Sequence, residues 1–135
     1  MKKFLIKGVV AGAVLLVFSY VALYLLVAFF PDLAELYYDP VFSLEGEKGI
    51  LYFIHPFILS FALAWFWRRF KSLFHGSFWW RGTEMGLVYG LIATLPSMWI
   101  TFSSLSVSVS LVITWFLYGL FQAIVVGIIY AKMSP

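Results

Sequence analysis

Four polar side chains, Ser19, Ser60, Thr94 and Gln122, interrupt stretches of sequence that are otherwise almost wholly apolar. If those stretches lie in hydrocarbon, each hydroxyl or amide needs a hydrogen-bond partner. Such a set either ties helices together or lines a site for a small polar molecule or ion. Counted from the basic end of each stretch, the four lie roughly 12 to 18 Å deep, which predicts one shared polar layer. Gln122 has the most capacity, because an amide offers two donors and an acceptor. No ionisable residue accompanies it at that depth, so interhelical bonding at about 0.6 kcal/mol per contact is the expected use.

His55 is the other candidate. An imidazole titrates near neutral pH and binds metals, and Glu45 or Glu47 lies within reach along the chain. One histidine with no second nearby makes a poor metal site, so a structural, hydrogen-bonded histidine beside Pro56 is expected. His75 reads as a loop residue, and Glu84 as the interfacial partner of Arg81 three residues earlier. The chain has no cysteine, which removes disulfides, thiolate metal sites and iron–sulfur clusters. It contains no G-x-S-x-G elbow, HExxH, phosphate-binding loop or aspartate cluster. Neither catalysis nor a cofactor or resident metal is expected.

The most regular pattern is small residues at helical spacing. Gly82, Gly86, Gly90, Ala93, Thr94, Ser97 and Thr101 fall within an arc of about 120°, and Gly119, Ala123, Gly127 and Ala131 recur every fourth residue. Gly8, Gly12, Ser19 and Ala22 form a weaker version. Small residues let helix backbones approach closely where lipid removes any hydrophobic drive between helices. Because the last two apolar stretches are joined by a short turn, antiparallel packing within the chain is expected. A second copy or a membrane-protein partner is the alternative occupant.

The elements that must position these residues follow from hydropathy. Of 135 residues, 64% are hydrophobic and 11% charged, more apolar surface than a water-soluble domain has use for. Apolar runs at 8–30, 50–67, 82–102 and 111–131 predict an all-α integral membrane protein, a single transmembrane domain over 1–135 forming a four-transmembrane-helix bundle. The lysine-flanked first run resembles a signal peptide. It is about 23 residues long with no small-x-small site after it, so an uncleaved first helix is expected. Lys2, Lys3, Lys7, Arg68, Arg69, Lys71, Arg81 and Lys132 fall on one side of the predicted bundle and only Lys48 on the other. The positive-inside rule then puts both termini in the cytoplasm, in a cell inner or plasma membrane. The net charge of +3 is thereby explained by topology, and no nucleic-acid partner is expected. Trp65, Trp67, Trp79 and Trp80 suit the inner interface; Tyr37, Tyr38, Tyr52 and Trp99 suit the outer one.

Asp39 before Pro40 has the form of a helix N-cap followed by proline, predicting a short surface helix that stops near Gly46. The basic, aromatic connection RRFKSLFHGSFWWRG suits the anionic inner leaflet, and SSLSVSVS suits a short outer turn. Pro56 and Pro96 are expected to bend the second and third helices. Together these features predict a small non-enzymatic polytopic membrane protein acting through helix contacts, either as an accessory subunit or as a self-associating bundle. A transporter or channel built around the Gln122 layer is the alternative. A lipid-modifying enzyme using His55 is a third reading.

Overall fold

The computed structural model describes residues 1–42 and 46–135, and every regular element among them is helical. We number the α-helices α1 (Lys2–Phe29), α2 (Pro31–Glu35), α3 (Glu47–Phe70), α4 (Phe78–Tyr89), α5 (Leu95–Ser104) and α6 (Val109–Met133). A π-helical turn at Gly90–Thr94 joins α4 to α5 without a break. Four continuous helices, Lys2–Phe29, Glu47–Leu73, Phe78–Ser104 and Val109–Met133, are therefore long and apolar enough to cross a membrane. At 1.5 Å per residue, 25 to 28 residues reach about 37 to 42 Å, more than a hydrocarbon core of about 30 Å.

Each helix outruns the apolar stretch that announces it. Backbone hydrogen bonding does not stop where hydropathy does, and Lys2, Lys3 and Lys7 continue α1 for six residues before Gly8. Glu47 in the first turn of α3 and Arg68 and Arg69 in its last complement the helix dipole. Ser77 caps α4 by accepting from the Trp80 amide at 3.4 Å, and Ser108 caps α6 by accepting from the Leu111 amide at 3.2 Å.

The surface helix lies elsewhere than at Asp39-Pro40. Pro31 opens α2 directly after α1, with Asp32 in its first turn. Asp39 instead accepts from the Val41 amide at 2.9 Å, the Asx-turn alternative open to the same residue. The expected course toward Gly46 crosses residues 43–45, including Glu45, which lie outside the described residues.

Pro56 is fully buried, and α3 runs through it. At Pro96 the helix accommodates the missing amide one turn earlier: the Leu95 N–H bonds the Gly90 carbonyl, five residues back rather than four.

Two antiparallel pairs make the bundle, α1 against α3 and α4 against α6, with α6 also touching α1, α3 and α5. Ala11, Leu15, Leu59, Leu63, Trp67, Met85, Ala123, Val126 and Tyr130 fill the centre. Large apolar side chains including Val17, Ile58, Leu91, Ile92, Ile113 and Leu117 stay exposed on all four long helices. Apolar surface this continuous matches a lipid solvent better than water.

Candidate functional site

The closest helix contact is between α4 and α6. A Cβ added to Gly82 would stand 2.3 Å from the Ile128 amide nitrogen, and one added to Gly127 would stand 2.3 Å from the Gly82 carbonyl oxygen. Gly86 faces the Ile124 backbone at 2.7 Å, Gly90 faces only the end of the Leu120 side chain at 2.7 Å, and Gly119 meets the Thr94 methyl at 3.2 Å. Ala123 is fully buried in the same seam. The approach is therefore backbone to backbone at the Gly82–Gly127 crossing and opens toward Thr94. On α1, Gly8 and Gly12 serve a different geometry, receiving the rings of Phe61 and Phe57 from α3.

The four polar residues do not form one layer. Ser60 donates its one hydroxyl proton to the Gly8 carbonyl at 2.6 Å, and its Oγ lies 2.8 Å from the Tyr130 hydroxyl oxygen. That hydroxyl donates to the Ser60 carbonyl, also at 2.8 Å, so α1, α3 and α6 are tied at one point. Ser19 donates to the Leu15 carbonyl at 3.0 Å and meets the Tyr118 hydroxyl at 3.0 Å. Thr94, against Gly119, shares that second level. Gly8 and Ser19 are eleven residues apart on α1, so the two levels are separated by roughly 16 Å. Gln122 lies between them, 4% exposed, and takes part in neither the Ser19–Tyr118 nor the Ser60–Tyr130 contact. Depths counted from apolar stretches misplace Ser60, because the register between α1 and α3 sets it level with Gly8, at the start of the first stretch.

His55 is exposed, whereas its neighbour Pro56 faces the core. One residue turns a helix by about 100°, which is enough to carry the imidazole off the inward face. No group of three His, Cys, Asp or Glu side chains suited to a metal occurs among the described residues. Arg81 turns away from Glu84. Its Nε donates to the Phe74 carbonyl and a terminal nitrogen to the Lys71 carbonyl, both at 3.1 Å, with the guanidinium 5.0 Å from the Trp67 ring.

At the same end of the bundle the Trp67 indole donates to the Ser134 carbonyl at 3.0 Å, Lys71 donates to the main-chain oxygen of Pro135 at 3.1 Å, and Lys7 reaches the Ser134 hydroxyl. The start of α1, the end of α3 and the end of α6 thus converge. At the opposite end the Trp115 indole donates to the Tyr37 hydroxyl at 2.6 Å, docking the α1–α3 connection on α6.

Sequence reasoning missed Tyr130 and Tyr118 as polar partners. Both read as apolar bulk in α6, and the available signal was their spacing, since 118, 122, 126 and 130 lie on one helical face together with Gln122. The chain matches no family model, no curated protein and no solved structure.

Proposed function

We propose that the chain is a multi-pass membrane protein that crosses the bilayer four times with both termini cytoplasmic, and that it is a non-enzymatic subunit working through helix contacts. The observation that carries this reading is how the intramembrane polar groups are used. Ser19 and Ser60 each bond to a neighbouring helix, and Thr94 packs on Gly119. The hydroxyls serve as joints of a closed bundle, and the lipid-facing surface is left to meet a partner helix or a second copy. The orientation rests on charge, since Lys2, Lys3, Lys7, Arg68, Arg69, Lys71, Arg81 and Lys132 gather at one end.

Native mass spectrometry of the chain extracted from its own membrane tests this role. A stoichiometric complex with another membrane protein, or with a second copy, is the expected result. A monomer carrying a small polar molecule would overturn it.

Gln122 favours one second reading, transport. It is buried between two hydrogen-bonded levels, on the helix that meets the widened Gly90–Thr94 turn through Gly119 and Leu120. The replacement Gln122→Leu separates the two. As a residue packed between the two joints it is expected to change stability by no more than about 0.6 kcal/mol with no other effect. Loss of a bound solute or of flux in vesicles, at unchanged stability, would establish the transport reading instead.

A further inference from the structure

Where the start of α1 meets the end of α3, a cavity of about 240 Å³ opens at the basic end of the bundle. Lys3 and Lys7 from α1 and Arg68 and Lys71 from the α3 end line it, over a wall formed by Phe4 and Trp67, and among the described residues no Asp or Glu contributes to the lining. The volume is more than tenfold the roughly 10 to 15 Å³ that admits one water. Lys7 meets the Ser134 hydroxyl and Lys71 the last main-chain oxygen, that of Pro135, which balances at most one of the four cations. Four cations around one hollow repel each other unless an anion joins them.

We propose that this cavity binds the phosphate of an anionic phospholipid headgroup. Phosphate supplies the acceptors that lysine and arginine recognise, singly or in a fork. The lipid source follows from the rest of the lining. Phe4, Ala64 and Trp67 give the cavity an apolar side, and exposed Leu5 and Ile6 carry apolar surface away from it along α1. A glycerol backbone and acyl chains gain from that surface, whereas a free phosphate ion does not. The proposal rests on the helices spanning a bilayer and is independent of how α4 meets α6.

Native mass spectrometry of the purified chain in micelles, titrated with phosphatidylglycerol, phosphatidylcholine and inorganic phosphate, tests it. The first phosphatidylglycerol is expected to bind in preference to phosphatidylcholine, and inorganic phosphate at matched concentration is expected not to displace it. Each cation near an anionic lipid contributes about fivefold, so Lys3→Gln with Arg68→Gln should weaken that binding about thirtyfold, and Lys3→Gln alone about fivefold. Lys2→Gln with Arg69→Gln removes the same charge from adjacent residues outside the lining and should leave binding near the parent value. Equal losses in the two double variants would mean diffuse surface attraction and overturn the site. Equal affinity for the two lipids would also overturn it, and displacement by inorganic phosphate would overturn the lipid as source. Because binding is read in micelles, these failures leave the orientation and partner readings standing.

Discussion

Replacing Gly82 by Ala is expected to force α4 and α6 apart. The new methyl would lie 2.3 Å from the Ile128 amide nitrogen and 2.5 Å from its Cα, both backbone atoms that cannot rotate aside. Overpacking costs about 1 to 3 kcal/mol where side chains can adjust. Here a whole helix must move, so a loss at or above the upper end of that range is expected, with Gly82→Leu worse. Alanine is favoured over glycine in a helix by up to about 1 kcal/mol, so intrinsic propensity acts in the opposite direction. Gly90→Ala is the internal control. Its methyl meets only Leu120 Cδ1, the mobile end of a side chain, and stability should stay close to that of the parent. Thermal unfolding in detergent, read by helical signal, gives the ordering Gly82 far below Gly90. If the seam instead joined two copies, Gly82→Ala would change oligomeric state while monomer stability held.

Tyr130→Ala should be as damaging for a different reason. The ring is 1% exposed, and its hydroxyl donates to the Ser60 carbonyl and lies 2.8 Å from the Ser60 Oγ. Truncating a large buried aromatic side chain to alanine costs about 3 to 5 kcal/mol through lost burial and the cavity left behind. Tyr130→Phe keeps the ring and loses only the hydroxyl. Because Ser60 still donates to the Gly8 carbonyl, a loss of about 0.6 kcal/mol is expected. Equilibrium denaturation of both variants separates shape from bonding. Near-equal losses would mean that the hydroxyl, not the ring, secures the junction of α1, α3 and α6.

These two residues also mark how much the sequence discloses. The four long helices are legible because a charge-free apolar stretch in lipid has few conformations besides helix that satisfy its backbone. Their ends are less so, since Lys2, Lys3, Lys7, Glu47 and Lys48 are charged residues that lie within helices otherwise built of apolar ones. The small face through Gly82, Gly86 and Gly90 can be read from spacing alone. That Gly82 meets Gly127 while Gly90 meets only a side chain depends on the crossing angle, which spacing does not encode. The shared polar layer fails for a similar reason. Depth along a single helix does not encode the register between helices, which decides that Ser60 meets Tyr130 and Ser19 meets Tyr118. Tyrosine conceals its polar end behind an apolar ring, so both partners escaped notice. Pro96 signals a disturbed helix, but the π turn that absorbs it forms one turn away, at Gly90–Thr94.

The central claim is a chain that crosses the bilayer four times with its basic end in the cytoplasm. Single-cysteine accessibility tests it most directly, because the chain has no cysteine of its own to give background. In intact cells, an impermeant thiol reagent is expected to label Ser43→Cys and Ser106→Cys, and to label Leu73→Cys only after the membrane is opened. Labelling of Leu73→Cys from outside, with Ser43→Cys and Ser106→Cys protected, would contradict the orientation.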